Sequence, residues 1–555
     1  MNGDNSVWNT LTRALGWGDV AVVVAATAAL LVIAAVAGRR QKDTRDYFIG
    51  ERKIPAFVVC LSFVATEISA MTILIVPAAA FGENWNYLQL FIGSVAARIF
   101  IAFFFLPRFY KHNVTSIYEY LRIRFGPATQ YAGSIFFFIT RLLASGIRLY
   151  AACMGIAILL GASRTAGGAV DDTWLFWTML FFVLVSAAFT ALGGIRGVVW
   201  NGAYEAVFFY VTAVVLAVFL ILHLRGSPGE IWHTAASAGR MEVFNFRLDI
   251  TDAKTIWAVL LFSFFVDAAV YGTDQEFVQR LLTVKTRQAS QRAMLGTILA
   301  GFPLVALYLC VGTLLFVFYQ QNPAAALPGK TDEILPHFGT MLPMGLKGLL
   351  LAAIVLAGIH LPLNSLSSSF VMDIYKRLLV RQASERHYLW VSRGSVLVFG
   401  LLLGLIAWQF RSSKGILWIG FQILSVTGGA TLGVFMLGVL TKRRGNRGNV
   451  VAMIASSLVM LTLLLLSHGK LSWPDWPWLR STLDAMNDFS RTNAAGHWAA
   501  TAIYHAAHIG WSWLIVIGTG LTFALGWLLG RSGSATGDEN PVGPLDNRAN
   551  VRQNV

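Results

Sequence analysis

The chain has 555 residues, of which 56% are hydrophobic and only 13% charged, and its mean hydropathy is +0.62. So large an apolar excess cannot all be buried in a soluble core of this length, which excludes an ordinary globular enzyme and points to a polytopic membrane protein. A net charge of +15 would suggest a nucleic-acid partner in a soluble protein, but here the basic residues fall between apolar runs, where they report membrane orientation instead.

The first run, "VAVVVAATAALLVIAAVAG" (20–38), is long enough to cross a bilayer and begins some twenty residues in, so it reads as a signal anchor with no cleavable leader. Twelve more follow, at about 55–80, 86–107, 131–160, 173–192, 198–223, 254–276, 293–319, 346–371, 388–410, 415–440, 449–468 and 510–530, giving thirteen expected spans. With the N-terminus outside, about 27 basic residues fall in inner segments and about 13 in outer ones, which predicts an N-out, C-in protein of the plasma (bacterial inner) membrane. The three cysteines, Cys60, Cys153 and Cys310, all lie in apolar runs and read as small buried hydrophobes.

In the second span, "FVATEISAMT" (63–72) places Glu67 near the bilayer centre, among Thr66, Ser69 and Thr72 and shortly before Pro77. A carboxylate at that depth costs several kcal/mol unless it is paired or protonated. The seventh span carries Ser263, Asp267, Tyr271, Gly272, Thr273 and Asp274 at its own centre. These two spans open two blocks of five, 55–223 and 254–440, and an odd number of helices per block inverts the second relative to the first. The expected organisation is an anchor helix and inner loop (1–54), the first repeat (55–223), an outer loop (224–253) and the inverted repeat (254–440). Two C-terminal spans with a Trp-rich outer loop (441–530) and a disordered inner tail (531–555) follow. The bland reading of the mid-depth polar residues is interhelical hydrogen bonding alone.

The fourth span holds Arg141 and Arg148 seven residues apart, within about 20° on one helix face. Intramembrane arginine pairs with an acid or meets an anionic ligand. Arg141, the deeper, is the candidate anion ligand, against an ion pair with Glu67 or Asp267, while Arg148 is expected to snorkel outward. His497, His505 and His508 lie in a Trp-rich outer loop and lack the pattern of a metal site. No Walker loop, nucleophile elbow or HExxH is present, so no enzyme is expected.

Four stretches, "LPRFYKHNVTSIYEYLRIRFGP" (106–127), "ALGGIRGVVW" (191–200), "GTDQEFVQRLLTVKTRQASQRA" (272–293) and "LPLNSLSSSFVMDIYKR" (361–377), resemble the sodium:solute symporter family in order and placement. The resemblance covers about residues 45–445. It implies an all-α, LeuT-like five-plus-five inverted-repeat core with flanking helices, and alternating access that moves a small solute with an ion gradient. No cofactor is expected beyond a coupling ion, Na+ or H+; the partners are the solute and the lipid bilayer, with no nucleic acid, and a monomer is compatible with this. The family's sodium site matches backbone carbonyls at Ala65 and Ile68, with Ile354, and a hydroxyl pair that falls here at Ala357 and Gly358. Its supporting aspartate falls at Gly202, with Glu205 one turn on. The side-chain oxygens of the familiar sodium site are therefore missing, which leaves three readings open: a rebuilt sodium site, proton carriage by Glu67, Glu205 and His360, or an uncoupled facilitator.

On the substrate side the resemblance implies a pocket of Thr72, Gln89, Ser94, Arg141, Asp267 and Tyr271, with Phe81 or Trp85 as outer gate. Relatives that carry sialic acid use an arginine on the fourth span, whereas the lysine of sugar carriers falls at Gly301. The expected cargo is a small polar, anionic (carboxylate or sialic-acid-like) solute. A sugar carrier is the alternative, and a membrane sensor without transport turnover is the alternative of another class.

Overall fold

The computed structural model describes residues 15–39, 43–161, 171–248, 252, 254–359, 362–412, 416–467 and 512–532. Within them the protein is helical apart from one antiparallel pair of two-residue strands, Arg443–Arg444 and Arg531–Ser532, which ties together two chain segments at one end. Eleven helices are long and apolar enough to cross a membrane, or twelve when one bent pair is taken as a single span. Rows of exposed Phe, Trp, Leu and Val, such as Phe176, Trp177, Phe181, Leu184, Val207, Val211, Val214 and Val218, cover the outer helix faces. In water such a surface would aggregate; in a bilayer it is the solvent-matched face.

In chain order, α1 is Trp17–Gly38, α2 Ala56–Glu67, α3 Ala70–Gly82, α4 Asn86–Lys111 and α5 Pro127–Leu159. The helix α6 spans Asp172–His223, α7 Ile256–Thr273, α8 Gln275–Leu281 and α9 Arg287–Gln321. There follow α10, Leu346–Ile359; α11, Leu363–Ser369; α12, Glu385–Gln409; α13, Ile416–Leu440; α14, Asn446–Ser467; and α15, Ser512–Leu529. The sequence expects two spans at 173–192 and 198–223, where the structure has one helical stretch of 52 residues that breaks at Gly194 (φ 52°, ψ −155°). Only glycine adopts that conformation without strain. The ninth span, expected at 346–371, falls within one apolar stretch, Leu346–Leu379, long enough to cross a membrane; its helices α10 and α11 flank residues 360–361, which lie outside the described residues.

Burial sorts the helices. The best 18-residue window of α1 is 17% buried, against 72% for α5 and 80% for the stretch that begins with α10. Thus α1 lies at the periphery, and α5 and α10 run through the core. The Trp-rich loop at 469–509 with His497, His505 and His508, and the tail from residue 533, lie outside the described residues. Cys60 and Cys153 are buried and Cys310 half-buried, all as free thiols.

Candidate transport site

Two helix breaks frame the site. The helix α2 stops at Glu67, Ile68 (φ −82°, ψ 104°) and Ser69 (φ −102°, ψ 172°) are extended, and α3 leaves at 63° to α2. In an unbroken helix the Ser69 amide would donate to the Ala65 carbonyl; here it donates to Thr72 Oγ1 at 3.3 Å. The Ala65 carbonyl is thereby released from its helical partner, at the negative end of the α2 dipole. The second break is at Asp274 (φ −104°, ψ 130°), which ends α7 and caps α8 by accepting from the Glu276 amide at 2.8 Å.

Charged side chains fill the space between the breaks. Arg98 of α4 is fully buried and donates through Nη2 to both Glu67 oxygens, at 2.6 and 2.7 Å. Its guanidinium lies 5.1 Å from the centre of the Tyr271 ring, which packs in turn on Phe63 and Phe277. Arg141 of α5 pairs with Asp274, through Nε at 3.0 Å, and with Glu276, through Nη1 at 2.6 Å. This corrects the expected pairing of Arg141 with Glu67 or Asp267: the break in the seventh span brings its own two acids onto Arg141, and Arg98 has already claimed Glu67. Arg280 adds a longer contact to Glu276, 3.9 Å. Buried ion pairs of this sort hold their shape because losing one partner strands the other charge.

A cavity of about 170 Å³ lies among these groups. Its polar wall consists of Glu67, Ser69, Thr72, Tyr87, Ser94, Arg141, Arg148, Ser263, Asp267 and Tyr271. Its apolar wall includes Met71, Ile75, Phe91, Phe262, Val266, Phe421 and Leu424. Five of the six expected substrate residues, Thr72, Ser94, Arg141, Asp267 and Tyr271, line it. Gln89 does not: its amide donates to the Asn86 and Lys254 carbonyls and accepts from the Asn245 amide, so it pins a loop. Phe81 and Trp85 are also outside the lining. Phe81 packs on Phe316 and Tyr319, and Trp85 Nε1 donates to Thr313 Oγ1 at 2.8 Å. Arg148 does not snorkel outward but lines the cavity half-buried, with no ion pair among the described residues.

A Cβ at Gly301 would stand 3.6 Å from Glu67 Oε2 and 3.8 Å from Arg98 Nη1. The ground a longer side chain at 301 would use is occupied by the Arg98–Glu67 pair. Sequence reasoning missed Arg98 altogether, although an arginine inside "IGSVAARIFIAFFF" (92–105) is itself a signal for a buried acid partner.

A smaller cavity, about 20 Å³, adjoins the α2 break and is lined by Ala65, Thr66, Ile68, Ser69, Ser145, Arg148, Leu149, Glu276, Ala357, Gly358 and Pro362. It contains four of the expected ion-site residues, Ala65, Ile68, Ala357 and Gly358. Ile354 is fully buried but outside this lining. Gly202 is packed so closely on α2 that a Cβ there would come within 2.5 Å of Ser62 Oγ. A Cβ at Gly358 would meet Ala152 Cβ at 2.8 Å and the Phe182 ring at 2.9 Å. Glu205 is fully buried on α6, and His360 lies outside the described residues. Among the described residues no cluster of His, Cys, Asp or Glu has the arrangement of a metal site.

The model of the sodium:solute symporter family matches residues 47–456. The sodium/sialic acid symporter SiaT of Proteus mirabilis is 29% identical over 80% of this chain and 89% of its own length. The human sodium-coupled monocarboxylate transporter 1 is 26% identical over 78% of this chain and 70% of its own. The solved structure of a Na+-coupled sialic acid symporter, in a substrate-bound outward-open state, superposes with TM-score 0.76 at 26% identity, covering 93% of this chain and 99% of that one. A nucleobase-cation-symport transporter, Mhp1, shares the fold at TM-score 0.51 and 12% identity, over 87% and 93% of the two chains.

Proposed function

The chain belongs to the sodium:solute symporter family, and from that premise we propose that it is a secondary active symporter of a small, carboxylate-bearing solute. Its place is the plasma membrane, as an integral protein. The observation that carries the anionic preference is Arg148: a cationic side chain on the wall of the larger cavity with no ion pair among the described residues. A guanidinium so placed can meet a carboxylate bidentately, and Asp267 across the cavity can take hydroxyl or ammonium groups of the same solute. Arg141, the candidate by depth, is committed to Asp274 and Glu276, so in this reading it shapes the cavity and Arg148 binds the cargo. The Arg98–Glu67 pair stands against Gly301, where relatives that carry sugars have lysine, and this disfavours a neutral-sugar site. Sialic acid and monocarboxylates, the solutes named for relatives, both carry the required group.

The coupling ion in this reading is a monovalent cation at the smaller cavity. Four arginines (Arg98, Arg141, Arg148, Arg280) face five carboxylates (Glu67, Glu205, Asp267, Asp274, Glu276) in this region. A bound anionic solute adds negative charge there, and one Na+ or one proton offsets it. Sodium is what the relatives are named for; the missing oxygens at Gly202, Ala357 and Gly358 keep proton carriage by Glu67, Glu205 or His360 as the second reading. Uptake of labelled sialic acid and of lactate into proteoliposomes, with sodium and pH gradients imposed separately, tests both. The expected result is gradient-driven uptake of at least one acid, abolished by Arg148→Ala. Uptake of neutral sugars that Arg148→Ala leaves unchanged would overturn the anionic reading, and uptake indifferent to both gradients would make the protein a facilitator.

A further inference from the structure

Among the described residues Arg148 is the one charged residue that lines both the larger cavity and the smaller one. Resting on the reading of the smaller cavity as the ion site, we propose that Arg148 is its resident cation: without solute it supplies the positive charge there and opposes sodium, and an anionic solute draws it away. The smaller cavity has the attributes of a cation site: its lining includes the oxygen-bearing side chains of Thr66, Ser69, Ser145 and Glu276, in place of a hydroxyl pair at 357 and 358. At about 20 Å³ it accommodates roughly one water-sized occupant. It lies at the C-terminal, negative end of α2, beside the Ala65 carbonyl released at the break and the Glu276 carboxylate. No side chain at position 358 can add a ligand without moving Ala152 or Phe182.

The positive charge the cavity calls for is already in its wall. Glu276, Asp274 and Arg141 are the charged neighbours that act on Arg148 through space, and Arg141 is fixed by its own ion pairs. Arg148, with no ion pair among the described residues, has a flexible stem and two places for its charge. A solute carboxylate in the larger cavity offers a bidentate partner, whereas the carboxylate that lines the smaller cavity, Glu276, is already held by Arg141. Solute binding therefore lowers the positive potential in the ion cavity and raises its affinity for an external cation. By linkage the coupling is reciprocal.

The test is saturable 22Na+ binding to the purified full chain in detergent without solute, comparing wild type with Arg148→Gln, Arg148→Met and Arg148→Lys; thermal melting verifies that each is folded. Wild type and Arg148→Lys are expected to bind sodium weakly, and the two neutral variants at least about tenfold more tightly. A general packing role for Arg148 would weaken binding, not strengthen it. Equal affinity in all four proteins overturns the inference while leaving the ion site in place. Absence of saturable binding in all four overturns it by removing the ion site on which it rests, an outcome distinct from failure of solute uptake.

Discussion

Arg98 and Glu67 make the most exposed wager in the membrane interior. The Arg98 side chain is wholly buried, and its Nε and Nη1 have no hydrogen-bond acceptor among the described residues, so the Glu67 pair carries most of its stabilisation, with the face of Tyr271 and the more distant charge of Asp267 adding to it. Glu67→Gln keeps the shape and removes the charge, leaving a guanidinium stranded in low dielectric, which costs about 3–5 kcal/mol. The expected result is a clear fall in thermal midpoint for Glu67→Gln, and a smaller fall for the double variant with Arg98→Gln. If the double variant melts lower than Glu67→Gln alone, the pair is not coupled as described. At this scale the sequence was half legible. The cost of a mid-membrane carboxylate announces Glu67, and the same cost announces Arg98, but which acid meets which arginine depends on helix rotation and on the two breaks. Hence Arg141 went to Asp274 and Glu276, neighbours that a helical wheel drawn through an unbroken seventh span would misplace.

The helix breaks were foreshadowed by residue type. Polar and hydroxyl residues clustered at 66–72 and 263–274 because unwound backbone needs partners that the lipid cannot offer, and Thr72 supplies one to Ser69. Close packing of small residues around the ion cavity was hidden: glycine at 202 and 358 reads from sequence as a lost ligand, whereas in space it is where helices touch. The two helix-ten positions of the lost hydroxyl pair are therefore unequal. Ala357 already has a Cβ in place beside the cavity, so Ala357→Ser is expected to fold with little change. Gly358→Ser must push Ala152 and Phe182 apart, an overpacking cost of about 1–3 kcal/mol. Thermal melting of the two variants in detergent decides this, and a Gly358→Ser protein as stable as wild type would mean that α10 is free to shift.

Across the whole molecule, three of the four stretches that carry the family resemblance, 106–127, 272–293 and 361–377, meet although remote from one another in sequence. Asp373 is fully buried and accepts from Ser116 Oγ at 2.6 Å, Ser369 Oγ at 2.9 Å and Gln130 Nε2 at 2.8 Å. The Ile117 amide donates to Gln275 Oε1 at 3.0 Å and Tyr118 Oη to the Thr273 carbonyl at 3.1 Å, while Arg377 pairs with Glu119 at 2.9 Å. These bonds tie the helix Ile117–Arg124 and the start of α5 to the α7–α8 break and to the segment after α11. Alternating access requires such a junction to be bistable, held by bonds that can be exchanged for water. Asp373 is the acceptor that gathers three donors from three segments, so Asp373→Ala removes three charge-assisted bonds at once and biases the junction towards opening. Accessibility at Ala357 reports it. With Cys60, Cys153 and Cys310 replaced, Ala357→Cys is expected to react slowly with a water-soluble methanethiosulfonate and several-fold faster once Asp373→Ala is added. A control at Thr72→Cys, on the wall of the larger cavity, separates opening of this junction from general loosening: both rates rising together in the presence of Asp373→Ala would mean that the network stabilises the fold as a whole and does not act as a gate.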